Sequence, residues 1–255
     1  MSLFRPCIDL HEGRVKQIVG STLSDSAAPD TNFVAEHDSA WYAELYRCDG
    51  LTGGHVIKLG PGNDEAAKRA LSAWPGGLQI GGGITCENAE EWLGAGASQL
   101  IVTSYIFSDG ELRIDNLEKL FDVTGRDRLV LDLSCRRRED GKYCIVTDRW
   151  QKFTTTAINA DTLAFLSDFA CEFLIHAVDV EGKQAGIDEE LLALLAEISP
   201  IPCVYAGGIA SFGDIGKIER AGAGKIAYTV GSALDIFGGG LSYCELAAHA
   251  KSRGR

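Results

Sequence analysis

The chain has 255 residues, of which 45% are hydrophobic, enough for one substantial core and the usual length of a complete (β/α)₈ barrel. A formal net charge of −12, from 36 acidic and 24 basic residues, argues against a nucleic-acid or membrane surface, because phosphate backbones and anionic headgroups reward clustered Lys and Arg. No apolar stretch approaches a membrane span, and the eight cysteines (Cys7, Cys48, Cys86, Cys135, Cys144, Cys171, Cys203, Cys244) show no CxxC pair and no metal-ligand spacing, so a reducing compartment and a metal-free site are expected.

The amino terminus, MSLFRPCIDL, runs straight into a strand without a signal core or an Arg/Ser-rich transit segment. A cytoplasmic protein is expected; a trimmed organellar form would look the same. Strands are expected at Pro6–Leu10, His55–Leu59, Leu78–Ile80, Leu100–Val102, Leu129–Leu133, Phe173–Ala177, Cys203–Ala206 and Ile226–Val230. Helical spacing marks Asp64–Trp74, Glu87–Gly94, Ile114–Phe121, Asp161–Phe169, Asp188–Ile198 and Asp214–Ala221, several opening on an acidic or capping residue. Strand-helix alternation implies a parallel sheet with helical crossovers. The count of eight strands, and the lack of a GxGxxG after the first, favour an α/β (β/α)₈ TIM barrel over a doubly wound open sheet.

An internal repeat spans the chain. Cys7-Ile8-Asp9-Leu10 answers Val130-Leu131-Asp132-Leu133, His55-Val56-Ile57 answers His176-Ala177-Val178, Gly81–Ile84 answers Ala206–Ile209, and Val102-Thr103-Ser104 answers Val230-Gly231-Ser232. Matches in the same order at nearly constant offset predict a duplicated half-barrel with a pseudo-symmetric site. The chain is accordingly read as a single domain, 1–255, with half-barrels at approximately 1–123 and 124–255.

Asp9 and Asp132 each close an apolar strand, and barrel strands point their carboxyl ends at the active-site face. Alone, each would be a turn cap. At matched places in a duplicated barrel they make a facing pair suited to general acid–base work. Gly82-Gly83 and Gly207-Gly208 follow strands three and seven, while Thr103-Ser104 and Gly231-Ser232 follow strands four and eight. Glycine allows close approach of an oxyanion, a hydroxyl adds a donor, and helix N-termini favour negative charge, so two such pairs predict two phosphates on one elongated ligand. One glycine run by itself would be a tight turn.

His55 and His176 lie within apolar strands, where a buried, hydrogen-bonded role competes with catalysis. Cys135–Thr156 is long for a barrel loop and carries Arg136-Arg137-Arg138 and an Asp140-Gly141 turn, which reads as a β-ribbon lid. Trp150 at its far end either stacks on an aromatic base or covers apolar barrel surface. Ser21–Asn32 is a second long polar loop, expected to be mobile.

These residues, from Cys7-Ile8-Asp9-Leu10-His11-Glu12-Gly13-Arg14-Val15-Lys16-Gln17 through the two glycine runs, resemble the eukaryotic-like branch of the histidine-pathway isomerases, which convert the bis-phosphate ProFAR to its ribulosyl form. The resemblance covers essentially the whole chain. It implies an Amadori rearrangement without metal or organic cofactor: Asp9 as base, Asp132 as acid, Trp150 stacked on the aminoimidazole, and the glycine–hydroxyl pairs on the phosphates. Lys58, Ala177 and Thr85 depart from the commoner bacterial aspartate, threonine and arginine. The resemblance then leaves Asp179 or water to supply the hydroxyl missing at Ala177, and Arg136–Arg138 to supply charge. The chain is expected to act as a monomer on a small bis-phosphate. The alternatives are the sister cyclase barrel, which receives ammonia from a glutaminase, and a non-catalytic phosphate-binding barrel.

Overall fold

The computed structural model describes residues 3–18, 31–148, 150–181 and 186–253. Its elements in chain order are β1 (Cys7–His11), β2 (Arg14–Ile18), β3 (Thr31–Val34), α1 (Ser39–Asp49), β4 (Gly54–Lys58), α2 (Asp64–Ala73), β5 (Leu78–Gly81), α3 (Ala89–Gly94), β6 (Leu100–Val102), β7 (Phe107–Ser108), β8 (Glu111–Leu112), α4 (Ile114–Thr124), β9 (Leu129–Asp132), β10 (Cys135–Arg137), β11 (Tyr143–Thr147), β12 (Lys152–Ala157), α5 (Ala160–Ser167), β13 (Glu172–His176), α6 (Glu189–Ile198), β14 (Cys203–Ala206), α7 (Phe212–Gly222), β15 (Ile226–Tyr228) and α8 (Tyr243–Arg253). The polar stretch expected to be mobile lies, over residues 21–30, outside the described residues.

Strands β1, β4, β5, β6, β9, β13, β14 and β15 pair in parallel in that order. The ring closes where the Arg5 amide donates to the Tyr228 carbonyl at 2.8 Å and the Tyr228 amide to the Leu3 carbonyl at 2.7 Å. This is the barrel, and the open-sheet alternative falls. Each strand feeds a helix whose buried face packs on the outside of the ring, as Leu191, Leu192 and Leu195 do in α6. Local chemistry sets the helix starts: Ser211 and Asp214 form a capping box on α7, and Asp38 and Asp188 cap α1 and α6.

The barrel interior is layered. At the amino-terminal end, Arg5 donates to Glu172 at 2.9 Å, and Gln79 bridges Glu172 at 2.7 Å and Gln99 at 3.1 Å. Above this polar plug Ile101, Val130, Leu174, Val204 and Ala227 form a small apolar core with Ile57 against it. The buried charges at the bottom are paired with each other, which is the condition for keeping them there. The top is left open for chemistry.

The strand after Asp132 does not enter α5 directly. Strands β10, β11 and β12 form a three-stranded antiparallel sheet, the β-ribbon expected of the long loop. Arg136, Arg137 and Arg138 are engaged in holding the ribbon in place. Arg136 Nε donates to Asp179 at 2.9 Å, Arg137 pairs with Glu190 at 2.6 Å, and Arg138 donates to the Thr154 carbonyl at 2.8 Å. The expectation that Arg136–Arg138 charge the site is therefore corrected. Asp179 likewise accepts from Arg136 and from the Arg137 amide at 2.9 Å, pinning the ribbon to the segment after β13 instead of replacing a hydroxyl at Ala177.

Candidate active site

A cavity of about 620 Å³ opens at the carboxyl ends of the strands. Its walls include Asp9, His55, Gly82, Gly83, Thr103, Ser104, Asp132, Trp150, His176, Gly207, Gly208, Gly231 and Ser232, so the residues singled out from sequence meet in one place, apart from Asp179 and Arg136–Arg138.

Asp9 does not end its strand as expected. Strand β1 continues to His11, turns through Glu12 (φ 52°) and Gly13 (φ 74°), and returns as β2. Two successive positive φ values are what a tight hairpin with the native strand twist requires. The return places Gln17 against the catalytic face, where its Nε2 donates to Asp9 Oδ2 at 3.0 Å. Gly231 makes room for it, since a Cβ there would lie 2.6 Å from Gln17 Oε1. Burial pushes the Asp9 carboxyl up to about 6; the Gln17 hydrogen bond and the field of His176 only partly oppose this, and Glu181 adds to it.

Asp132 sits in a different environment. Its Oδ1 accepts from the Ser134 amide at 3.0 Å and the Ser134 hydroxyl at 2.7 Å, with His176 Nδ1 at 3.4 Å. Burial raises its pKa, but His176, Ser134 and a hydrogen bond from Thr103 together outweigh burial and hold the carboxyl below its ordinary value. Thr103 thus serves Asp132 as well as the cavity wall. His176 shows the reciprocal effect: burial lowers it, Asp132, Glu181 and Asp9 raise it, and the outcome is about 9. His55, also buried, is driven down to about 3 by burial and by the nearby positive charge of His176, against the pull of Asp132. One histidine is cationic at neutral pH and the other is not.

The strand registers explain why. Ile57 pairs with Gly81 on β5, whereas His176 pairs with Ala206 on β14. Counted from Gly81 and Ala206, which begin the matched glycine turns, His176 stands at the level of Ile57, and His55 lies one pleat lower, level with Cys7 and Gln79. The sequence match of His55 to His176 is therefore out of register.

The glycine turns carry positive φ at Gly82 (91°), Gly83 (69°), Gly207 (117°) and Gly208 (73°). The helix-end amides expected to assist are partly taken. Asp214 Oδ2 accepts from the Ala210 and Ser211 amides at 3.1 and 3.0 Å, and Asn88 Oδ1 accepts from the Thr85 amide at 3.0 Å. An anion would therefore rely on the glycine turns and neighbouring hydroxyls. The two turns also differ in tolerance. At Gly83 a Cβ would meet nothing within 4 Å, whereas at Gly208 it would lie 2.1 Å from the Gly186 carbonyl oxygen. Gly83→Ala is expected to raise KM for a phosphorylated substrate while losing about 1 kcal/mol of stability to left-handed strain. Gly208→Ala should lower the melting temperature clearly further. Equal melting temperatures would overturn this distinction.

Sequence reasoning gave no site role to several polar wall residues. Gln17 and Glu181 line the cavity, as do Thr147 from the ribbon and Thr229 just after β15. The hydroxyls of Thr147 and Thr229 are buried with no hydrogen-bond partner among the described residues, a costly state unless a ligand completes them. A reading of apolar residue plus threonine at a strand end would have flagged Thr229. Trp150, with φ 68°, turns inward so that its ring lies 5.7 Å from the His176 ring at 40°. No cluster of three or more His, Cys, Asp or Glu residues able to hold a metal ion occurs among the described residues.

Fold and cavity together define the class, a (β/α)₈ barrel with an acidic and imidazole-bearing pocket at the carboxyl ends of its strands. Residues 4–239 match the histidine biosynthesis protein family, and the chain belongs to it. Its relatives include a chloroplastic 1-(5-phosphoribosyl)-5-((5-phosphoribosylamino)methylideneamino) imidazole-4-carboxamide isomerase of Medicago truncatula, 54% identical over an alignment that covers 96% of this chain and 80% of the relative. Isomerases of the same name from Neurospora crassa and Saccharomyces cerevisiae are 50% and 48% identical, each over 94% of this chain, and over 94% and 95% of their own lengths.

Proposed function

We propose that this chain is an aldose–ketose isomerase of histidine biosynthesis that converts ProFAR to its ribulosyl aminoketose by an Amadori rearrangement. The observation that carries the reading is the meeting of Asp9 and Asp132 in one cavity, with a glycine–hydroxyl wall on each side, in a chain that is 48% identical to the yeast isomerase. Asp132 opens the ribose by delivering a proton to the ring oxygen, giving a Schiff base, and Asp9 then removes the C2 proton to form an enolamine that becomes the ketose. A carboxylate near 6 is ionised at neutral pH yet retains basicity, which suits Asp9 to that task. Gly82, Gly83, Thr103 and Ser104 take one phosphate, and Gly207, Gly208, Gly231 and Ser232 the other. Trp150 lies on the aminoimidazole once the ligand displaces it from His176, with Thr147 and Thr229 donating to the sugar.

We further read residues 1–255 as one domain of two half-barrels, approximately 1–123 and 124–255, working as a monomer. Eight free cysteines suit a reducing compartment such as the cytoplasm, and among the described residues no helix is long and apolar enough to cross a membrane. Incubating the purified protein with ProFAR, in the absence of glutaminase and ammonia, is expected to yield the ribulosyl isomer and nothing further. Conversion only when ammonia is supplied would favour the sister cyclase. Binding without conversion would favour the non-catalytic barrel.

A further inference from the structure

The duplicated barrel supplies two equivalent aspartates, but the chemistry needs one donor and one acceptor. Their surroundings separate them. Of the two aspartates, His176 contacts Asp132, its Nδ1 lying 3.4 Å from Oδ1 and 3.3 Å from the Ser134 hydroxyl, whereas the residue across from Asp9 on β4 is Ile57. Ser134 ties the unit together by donating to Asp132 at 2.7 Å. The side chains of His176 and Asp132 are each 17% exposed, and the Trp150 ring leans over the imidazole from the ribbon. We propose that His176 is the positioning residue that stores the ring-opening proton, so that the acid of this reaction is the Asp132–His176 pair and not Asp132 alone.

The inference rests on the isomerase reading above and deepens it. Around His176 stand Asp132 on β9, Asp9 on β1, Glu181 after β13 and the neutral His55 on β4. Three carboxylates near one imidazole keep a proton on it at neutral pH, so the pair carries one proton although Asp132 by itself is ionised. The two phosphates of the substrate add negative charge and strengthen this retention. In the reaction, the Nδ1 proton passes to Asp132 as Asp132 protonates the ring oxygen. The C1–O bond breaks with its electron pair going to that oxygen, and the nitrogen lone pair forms C=N. Asp9 takes the C2 proton and the released pair forms the enolamine. C1 then receives the proton held by Asp9, and the enol hydroxyl returns a proton to the pair, so both sites end as they began.

The test is His176→Gln, which keeps a hydrogen-bond donor near Asp132 but cannot hold the extra proton. Its kcat is expected to fall about 10²-fold with KM changed by less than about threefold. The wild-type alkaline limb of kcat/KM reflects loss of the stored proton, and in the variant it should move to lower pH by about one unit or more while the acid limb stays in place. Unchanged kcat and an unmoved alkaline limb would overturn the proposal. Should the variant fail to fold, histidine-labelled NMR of the wild type decides: the His176 ring, assigned by replacing the other four histidines singly, should be an imidazolium at about pH 8, and a neutral ring there would overturn it. Absence of isomerase activity in the wild type would instead remove the isomerase reading, leaving the ring's charge state as a separate result.

Discussion

Asp9→Asn is expected to lower kcat/KM for ProFAR by about 10³-fold, within the span usual for loss of a positioned base, and to make the protein more stable at alkaline pH. The two effects have one origin. The Asp9 carboxyl titrates near 6 because burial disfavours its charge more than Gln17 and His176 favour it. The folded protein therefore holds a proton at Asp9 between about pH 4 and 6 that the unfolded chain has released, so stability falls as pH rises through that window. Above it the cost of the buried charge is fully present. An amide removes the charge, and thermal unfolding at about pH 8 should show a gain of about 1–2 kcal/mol, discounted for partial solvent access, that vanishes near pH 4. Deuterium should not wash into C2 even from an already opened substrate analogue. Exchange at the wild-type rate would remove Asp9 from the base role.

The features that could be read in the sequence were those written in periodicity and repetition. Apolar runs ending in Asp9, Asp132 and the two glycine turns located the barrel strands and the cavity rim, because strand length and the carboxyl-end rule fix where such residues face. Helix α1 went unread since its buried face is Ser39, Tyr42, Ala43 and Tyr46, a polar-looking stripe whose signals are the Asp38 cap and the left-handed Gly50. Strand β2 hid in the same way, its hairpin announced only by Glu12-Gly13, and with it went Gln17. The role of Asp179 and the arginines was beyond reach for a different reason. Long charged side chains are partnered by whatever the ribbon brings near, and spacing along the chain does not encode that. The same limit applies to the buried Arg5–Glu172 pair, 167 residues apart in sequence. Pseudo-symmetry was legible, but its breaking depended on strand register: a two-residue difference decides whether imidazole or Ile57 stands at the level of the glycine turn.

That broken symmetry gives Asp132→Asn the opposite stability signature from Asp9→Asn. The Asp132 carboxyl is held below its ordinary value because His176, Ser134 and Thr103 outweigh burial, so it contributes stability that is present above the unfolded-state value near 4 and is lost as pH falls through its folded value. His176, raised to about 9, reports the same interaction from the other side: its contribution is present below about 6.5 and is lost as pH rises through about 9. Asp132→Asn removes both sides of this one interaction. The variant should therefore be less stable than wild type at about pH 7, by roughly 1–3 kcal/mol, with the deficit shrinking toward strongly acid and strongly alkaline pH. Turnover of ProFAR should fall about 10²- to 10⁴-fold, because the ring oxygen loses its donor and His176 loses the carboxylate through which its proton travels. C2 exchange in an already opened analogue should continue, since Asp9 is untouched. Loss of that exchange in Asp132→Asn with its retention in Asp9→Asn would mean that the base and acid are assigned the wrong way round. Full turnover by both variants would mean that the paired carboxylates do not carry the reaction.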